Sequence, residues 1–313
     1  MAPGDKHKFS IVGGGVLLDP SFVGRYEAAL AAVGRRVPLD DTRVAKFNRS
    51  LASLFESAPR EVVEGMVPNL RRGSWDFRHN DAFRALPEAW QLVQVAENLL
   101  TVLGDQELRR LFRKGNEHPA LDGQTSFARD KQFELYLAAL CHAAGGRIAL
   151  VEPDLSVAIP SGPLVVAVKR VRGAGSTKKG TGAVANRLDD AEDQIVRSGV
   201  AGLCVLDVTL LVDPASVWIG HWRTDPLRTI LEHLTHLVFT EHGHAFRRKR
   251  HQLVAGHVVH CAFPAMIDWF RWGFLEAWLP VQHDGHDATS VRAFLDLIAQ
   301  GIAVAQGQAP SLR

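Results

Sequence analysis

Between residues 21 and 115, apolar positions recur every three or four residues, at 26–33, 44–55, 88–103 and 106–112. That spacing puts one apolar stripe on each of four helices. A short strand is expected before them at residues 9–18. Pro38, Pro59, Pro68 and Pro87 punctuate the region, and Asp40, Asp41 and Thr42 offer capping oxygens to the helix that follows. The polar stretch 114–125 carries no apolar periodicity, so the chain is divided near residue 120, with a mostly helical region at 1–120 and a second region at 121–313.

Beyond that point helix and strand patterns alternate. A helix at 129–144 ends at Gly145 and Gly146, and strands are expected at 147–151, 155–159 and 164–171. A helix at 185–198 follows, and the unbroken apolar run 202–212 reads as a strand buried on both faces. This order predicts an α/β domain with a mixed sheet flanked by helices. From Pro226 onward the pattern predicts a mainly helical extension, with helices at 227–239 and 291–305 and one strand at 254–263.

Composition narrows the class. With 313 residues, 46% of them hydrophobic and 22% charged, the chain has the balance of a globular protein and can bury a substantial core. The net charge of +2 is only mildly basic, so a nucleic-acid surface must come from local clusters of Lys and Arg. Cys141, Cys204 and Cys261 lie far apart in apolar surroundings without CxxC spacing, and read as reduced core residues. The N-terminus lacks the apolar run of a signal peptide and no uncharged apolar run nears the ~18 residues of a bilayer span, so a cytoplasmic location is expected.

Three residues draw attention for chemistry. Glu134 lies beside the apolar stripe of its helix, and taken alone reads as an exposed helical acid. Asp154 opens one strand and Lys169 closes the next, so a hairpin through the turn at 160–163 brings them to the same end. That pair is either a surface ion pair or the core of a site. A carboxylate holds Mg²⁺ or Mn²⁺ through hard oxygen ligands, and a neighbouring ammonium can orient water and stabilise charge on a phosphate.

Other features are less specific. Arg170, Arg172, Lys178, Lys179 and Arg187 fall in a glycine-bearing loop that reads equally as a phosphate-wrapping segment and as a solvated loop. Arg247, Arg248, Lys249 and Arg250 form a second basic cluster, whose simpler reading is a charged surface turn. His242 and His244 with Glu241 suggest a zinc site, although ordinary surface and core histidines explain them more simply. Gly13, Gly14 and Gly15 lack the third spaced glycine of a dinucleotide fingerprint and are expected to form a turn.

Residues 127–134 ending in Glu134, then Pro153 and Asp154, then Val165-Val-Ala-Val-Lys169, then the helix carrying Gln194 and the apolar strand from Gly202 together resemble the PD-(D/E)xK nuclease superfamily. The resemblance covers about residues 126–213. It implies a restriction-endonuclease-like fold and a metal-dependent nuclease that hydrolyses phosphodiester bonds of DNA, or less readily RNA. Glu134 and Asp154 would be metal ligands for Mg²⁺ or Mn²⁺, Lys169 the catalytic lysine and Gln194 the helical glutamine. One element departs: Ala167 stands where the family has an acid two residues before the lysine. The chain as written is therefore expected to cleave poorly or not at all. Either a degenerate protein that only binds or scaffolds nucleic acid, compensation by another acid such as Glu152 or Glu134, or a deliberate inactivating change would account for Ala167. The helical region before residue 120 would contact DNA, a protein partner or a second subunit.

Overall fold

The computed structural model describes residues 12–40, 42–57, 61–62, 80–112, 127–171, 180–209, 211, 218–220, 232, 234–248, 251–267, 271–281 and 287–307. The chain runs β1 (Val12–Leu18), α1 (Ser21–Gly34), α2 (Arg43–Glu56), α3 (Asn80–Leu99), α4 (Asp105–Leu111) and α5 (Phe127–Ala143). It continues with β2 (Ile148–Ala149), β3 (Leu155–Ile159), β4 (Gly162–Arg170), α6 (Gly180–Ser198), β5 (Gly202–Asp207) and β6 (Trp218–Gly220). A π-helical turn (His236–Glu241) and the short α7 (Gly243–Phe246) precede β7 (Val254–Ile267), β8 (Arg271–Val281) and α8 (Ala288–Ala305).

The strands form one mixed eight-stranded sheet in the order β1-β8-β7-β5-β4-β3-β2, with β6 added beside β7. β5 is parallel to both β4 and β7, and every residue of it is buried. It is therefore apolar on both faces, as a central parallel strand must be. β4 divides its side chains by alternation: Val166 and Val168 join the larger core, Val165 and Ala167 the smaller. The larger core lies under α1 to α5 and α8, and the smaller under α6 and α7.

Local signals explain most elements. Thr42 caps α2 by accepting from the Ala45 amide at 3.4 Å. Asp287 caps α8 through the Thr289 and Ser290 amides. α8 has the length and composition of a membrane span, but Val291, Phe294, Leu295 and Ile298 are buried in the larger core. A Cβ on Gly301 would sit 2.2 Å from the Leu140 carbonyl oxygen, so glycine lets α8 press directly on α5.

Three expectations are corrected. The helix expected from residue 88 begins at Asn80 and runs through Pro87; the proline removes one backbone hydrogen bond and crowds the carbonyl of Phe83, but the apolar stripe of Phe83, Leu86 and Trp90 stays buried on both sides of it. Gly13, Gly14 and Gly15 do not turn; they pair with Ala277, Glu276 and Leu275 in an antiparallel ladder. The extension beyond residue 226 carries the expected helix, α8, but among the described residues it also holds two long strands where one was expected: β7 and β8 are 14 and 11 residues long. β8 sends Trp272, Phe274 and Trp278 to one core and Leu275, Ala277 and Leu279 to the other. Burial on both faces removes the alternation by which a strand is recognised. The predicted helix at 227–239 falls largely outside the described residues.

The helices before residue 120 do not stand apart from the rest. β1 pairs with β8, and the larger core is continuous from Val16 to Ile298. A buried polar cluster ties two of these helices, α2 and α3, to α5. Glu88 accepts from Arg129 at 2.7 Å and from Arg43 at 3.1 Å, Arg43 donates to Gln132 at 2.5 Å, and Gln132 donates to the Glu88 carbonyl oxygen at 3.0 Å. Burial alone would raise the Glu88 carboxyl, but the two guanidiniums outweigh it and hold the group at about 2.

That depressed value makes the cluster pH-sensitive in a definite direction. Its contribution is present above the carboxyl's unfolded value and is lost as pH falls toward 2. Glu88→Gln should lower unfolding free energy by about 3–5 kcal/mol at pH 7, since it strands two buried cations. Urea denaturation of both proteins checks this, and their difference should narrow as pH falls from the unfolded carboxyl's value toward 2, because the unfolded chain then takes up a proton that the native carboxyl does not.

Candidate functional site

α5 is fixed by residues flanking Glu134. The Phe133 ring lies 4.8 Å from the His260 ring and 6.0 Å from that of Trp278, and Tyr136 donates to Glu276 at 2.9 Å. Glu134 is thereby directed away from the core, into a pocket of about 660 Å³. The pocket is closed by α4 (Glu107, Arg110), α5, the segment before β3, the end of β4 and α6 (Arg187, Asp190, Asp193, Gln194, Arg197).

Glu134, Asp154, Lys169 and Gln194 all line this pocket, although they come from four separate stretches of chain. Antiparallel pairing of Leu155 with Val166 puts the start of β3 beside the end of β4. Asp154 Oδ2 accepts from the Val168 amide at 2.7 Å and lies 3.4 Å from Lys169 Nζ. Glu134 is met by Lys131 at 2.8 Å. The oxygen Oε1 of Gln194 is buried and accepts no hydrogen bond from the described residues.

The carboxylates are poorly solvated: the side chains of Glu134 and Asp154 are 15% and 12% exposed. Burial, then the charge of Asp154, pushes Glu134 up to about 7 against the pull of Lys131 and Lys169. Burial also raises Asp154, outweighing Lys169 and the Val168 amide. Two desolvated acids that destabilise each other's ionised form, with an unpartnered amide oxygen in the same pocket, are a donor set suited to a hard divalent cation.

The other predicted residues are placed differently. Ala167 is fully buried among the apolar residues under α6, in the row below Lys169 on the same face of β4, and does not line the pocket. Arg170 is the last residue of β4 and not part of a loop; it borders the pocket, and its buried guanidinium donates to Asp207 at 2.5 Å. Arg187 lines the pocket and approaches Asp190 at 3.4 Å. Arg172, Lys178, Lys179, Lys249 and Arg250 lie outside the described residues. Arg247 donates to the Gly243 carbonyl oxygen and Arg248 pairs with Asp189 at 3.1 Å, and neither lines the pocket.

His242, His244 and Glu241 form no ligand cluster among the described residues; His236 meets Glu241 at 3.5 Å instead. The cluster that does occur is Glu192, Cys204 and His257, whose ligand atoms lie within 4.8 Å of one another. Sequence spacing concealed it, because Cys204 and His257 meet only through the register of β5 on β7. Glu107, Arg110, Lys131, Asp190, Asp193 and Arg197 were also missed as pocket residues; for Lys131 and Asp190 the signal was helical spacing of three and four residues from Glu134 and Gln194. No protein-family model matches the chain, and the searches of curated proteins and of solved structures give no match.

The raised Glu134 value sets a testable sign. The folded state binds the proton more tightly than the unfolded state, so this group's contribution is fully present below about pH 4.5 and declines as pH rises through about 7. Glu134→Gln should therefore gain stability relative to the unchanged chain at pH 8, by up to ~3 kcal/mol, and gain little at pH 4.5. Denaturant melts at the two pH values give the comparison; equal differences at both would contradict a raised carboxyl.

Proposed function

We propose that the chain is a PD-(D/E)xK nuclease-like protein whose pocket is built for metal-dependent hydrolysis of phosphodiester bonds in DNA, and that Ala167 impairs it. The observation that carries this reading is the meeting of Glu134, Asp154, Lys169 and Gln194 in one pocket, as the sequence resemblance requires. The sequence of α5, β2, β3, antiparallel β4, α6 and parallel β5 is also the arrangement expected of a restriction-endonuclease-like core.

Glu134 and Asp154 would hold Mg²⁺ or Mn²⁺, which would supply Lewis-acid polarisation of the phosphoryl group and a more acidic water. Asp154 is steadied by the Val168 amide, so its carboxylate is fixed on the rigid end of β4. Lys169, held beside it, is placed to donate to the attacking water or to a phosphate oxygen as negative charge develops. The Gln194 oxygen, unpartnered among the described residues, can accept a hydrogen bond from that water and so orient it. Arg110, Arg187 and Arg197 supply phosphate-binding cations at the pocket wall. Because Arg110 lies on α4, the region before residue 120 contributes to the same site.

Ala167 favours a second reading, in which the pocket binds nucleic acid without cutting it. A glutamate at 167 would share the face of Lys169 and have the length to reach toward it along the strand. Plasmid and single-strand DNA, with an RNA arm, should show little cleavage by the chain as written in Mg²⁺ or Mn²⁺. Ala167→Glu should gain metal-dependent cleavage, and adding Lys169→Ala should reduce it by about 10²–10⁴-fold. A folded Ala167→Glu protein that cuts none of these substrates, but binds them, would favour the binding protein; one that neither cuts nor binds would defeat both readings.

A further inference from the structure

A second ligand cluster lies on the other flank of α6. Register aligns Ala167 of β4, Cys204 of β5 and His257 of β7 in one row across the sheet. All three point toward the smaller core, and Cys204 and His257 are fully buried. Glu192 comes down from α6 onto this row, with its Oε1 3.1 Å from His257 Nε2 and its side chain 12% exposed. The His257 ring is held edge-on by Phe246, 5.9 Å away. Helical geometry separates this cluster from the pocket, since Asp190, Asp193, Gln194 and Arg197 line the pocket while Glu192 does not.

We infer that Glu192, Cys204 and His257 form a transition-metal site, with Zn²⁺ as the ion it is chemically suited to hold. A thiolate, an imidazole and a single carboxylate are the donors of a borderline-soft cation and discriminate against Mg²⁺. Tetrahedral bonds of ~2.0–2.3 Å place ligand atoms roughly 3.3–3.8 Å apart. The mutual limit of 4.8 Å and the Glu192–His257 separation of 3.1 Å bracket that spacing, so side-chain rotation suffices without moving a strand. The donors belong to α6, β5 and β7, and a metal joining them clamps α6 to the centre of the sheet. Because α6 also carries Gln194, the clamp bears on the geometry of the pocket as well as on stability.

Co²⁺ titration of the reduced full chain tests the inference without relying on cleavage. One equivalent should produce a thiolate-to-cobalt charge-transfer band with tetrahedral visible absorption, and Zn²⁺ should displace it. Cys204→Ala should abolish the band and weaken Zn²⁺ binding by ten- to a hundredfold or more, while Asp154→Asn leaves both unchanged. Zn²⁺ should raise the Tm of the unchanged chain and of Asp154→Asn, but not of Cys204→Ala. Should Cys204→Ala fail to fold, Cys204→Ser serves in its place. A folded, reduced chain that shows no thiolate band at saturating Co²⁺ overturns the site. A band that survives replacement of Cys204 overturns it equally.

Discussion

The arrangement of the pocket depends on a row of buried charges across the ends of the central strands. Arg170 of β4 pairs in register with Asp207 of β5, and Asp207 with His260 of β7. The side chains repeat that order: Arg170 donates to Asp207, His260 Nδ1 lies 3.3 Å from Asp207, and His260 Nε2 lies 3.1 Å from Glu276 of β8. Burial opposes charge on His260, but the two carboxylates outweigh it and raise the imidazole, while Arg170 and His260 hold Asp207 far below the usual carboxylate range. A slip of one residue in any pairing would turn these charges to the opposite face and leave them unpaired. The row therefore enforces register, which is the best-attested role of buried ions, whatever its net energy.

Two consequences follow for the site. Lys169 is the residue before Arg170, so fixing Arg170 on one face fixes Lys169 on the other, beside Asp154. On the α5 side, His260 stacks with Phe133 and Glu276 receives Tyr136, which sets the rotation of the helix and so the direction of Glu134. Glu134, Asp154 and Lys169 are thus held by rigid elements locked to a charged core, while α4 and α6 supply the walls of the pocket. The position of Ala167 is instructive in this frame. Its methyl belongs to the apolar layer under α6, in line with Cys204 and His257, and the pocket obtains its negative charge from α5 and the start of β3.

Much of this was legible in the sequence, for identifiable reasons. Helices with one apolar face, such as α2, and the short alternating strand β3 declare themselves through periodicity. The hairpin between β3 and β4 was readable from the turn at 160–163, and with it the proximity of Asp154 and Lys169. β8 was not readable, since both its faces are buried; β1 was expected as a strand at 9–18, and only the turn suggested there by Gly13 to Gly15 failed, because the glycines continue the ladder with β8. Arg170 looked like a loop cation because its partner Asp207 is 37 residues away and meets it only through parallel pairing. The cluster of Glu192, Cys204 and His257 escaped for the same reason. Contacts made through parallel strands leave no local spacing to read.

The central claim is that the paired acids Glu134 and Asp154 hold a divalent cation in the pocket. Anomalous diffraction from crystals soaked in Mn²⁺ at pH 8, above the raised Glu134 value of about 7, tests it most directly. A manganese peak bound by both carboxylates, and lost in Asp154→Asn, is the expected result. A map at saturating Mn²⁺ with no peak between these two residues would contradict it, and would leave the carboxylates, Lys131 and Lys169 as ion pairs alone.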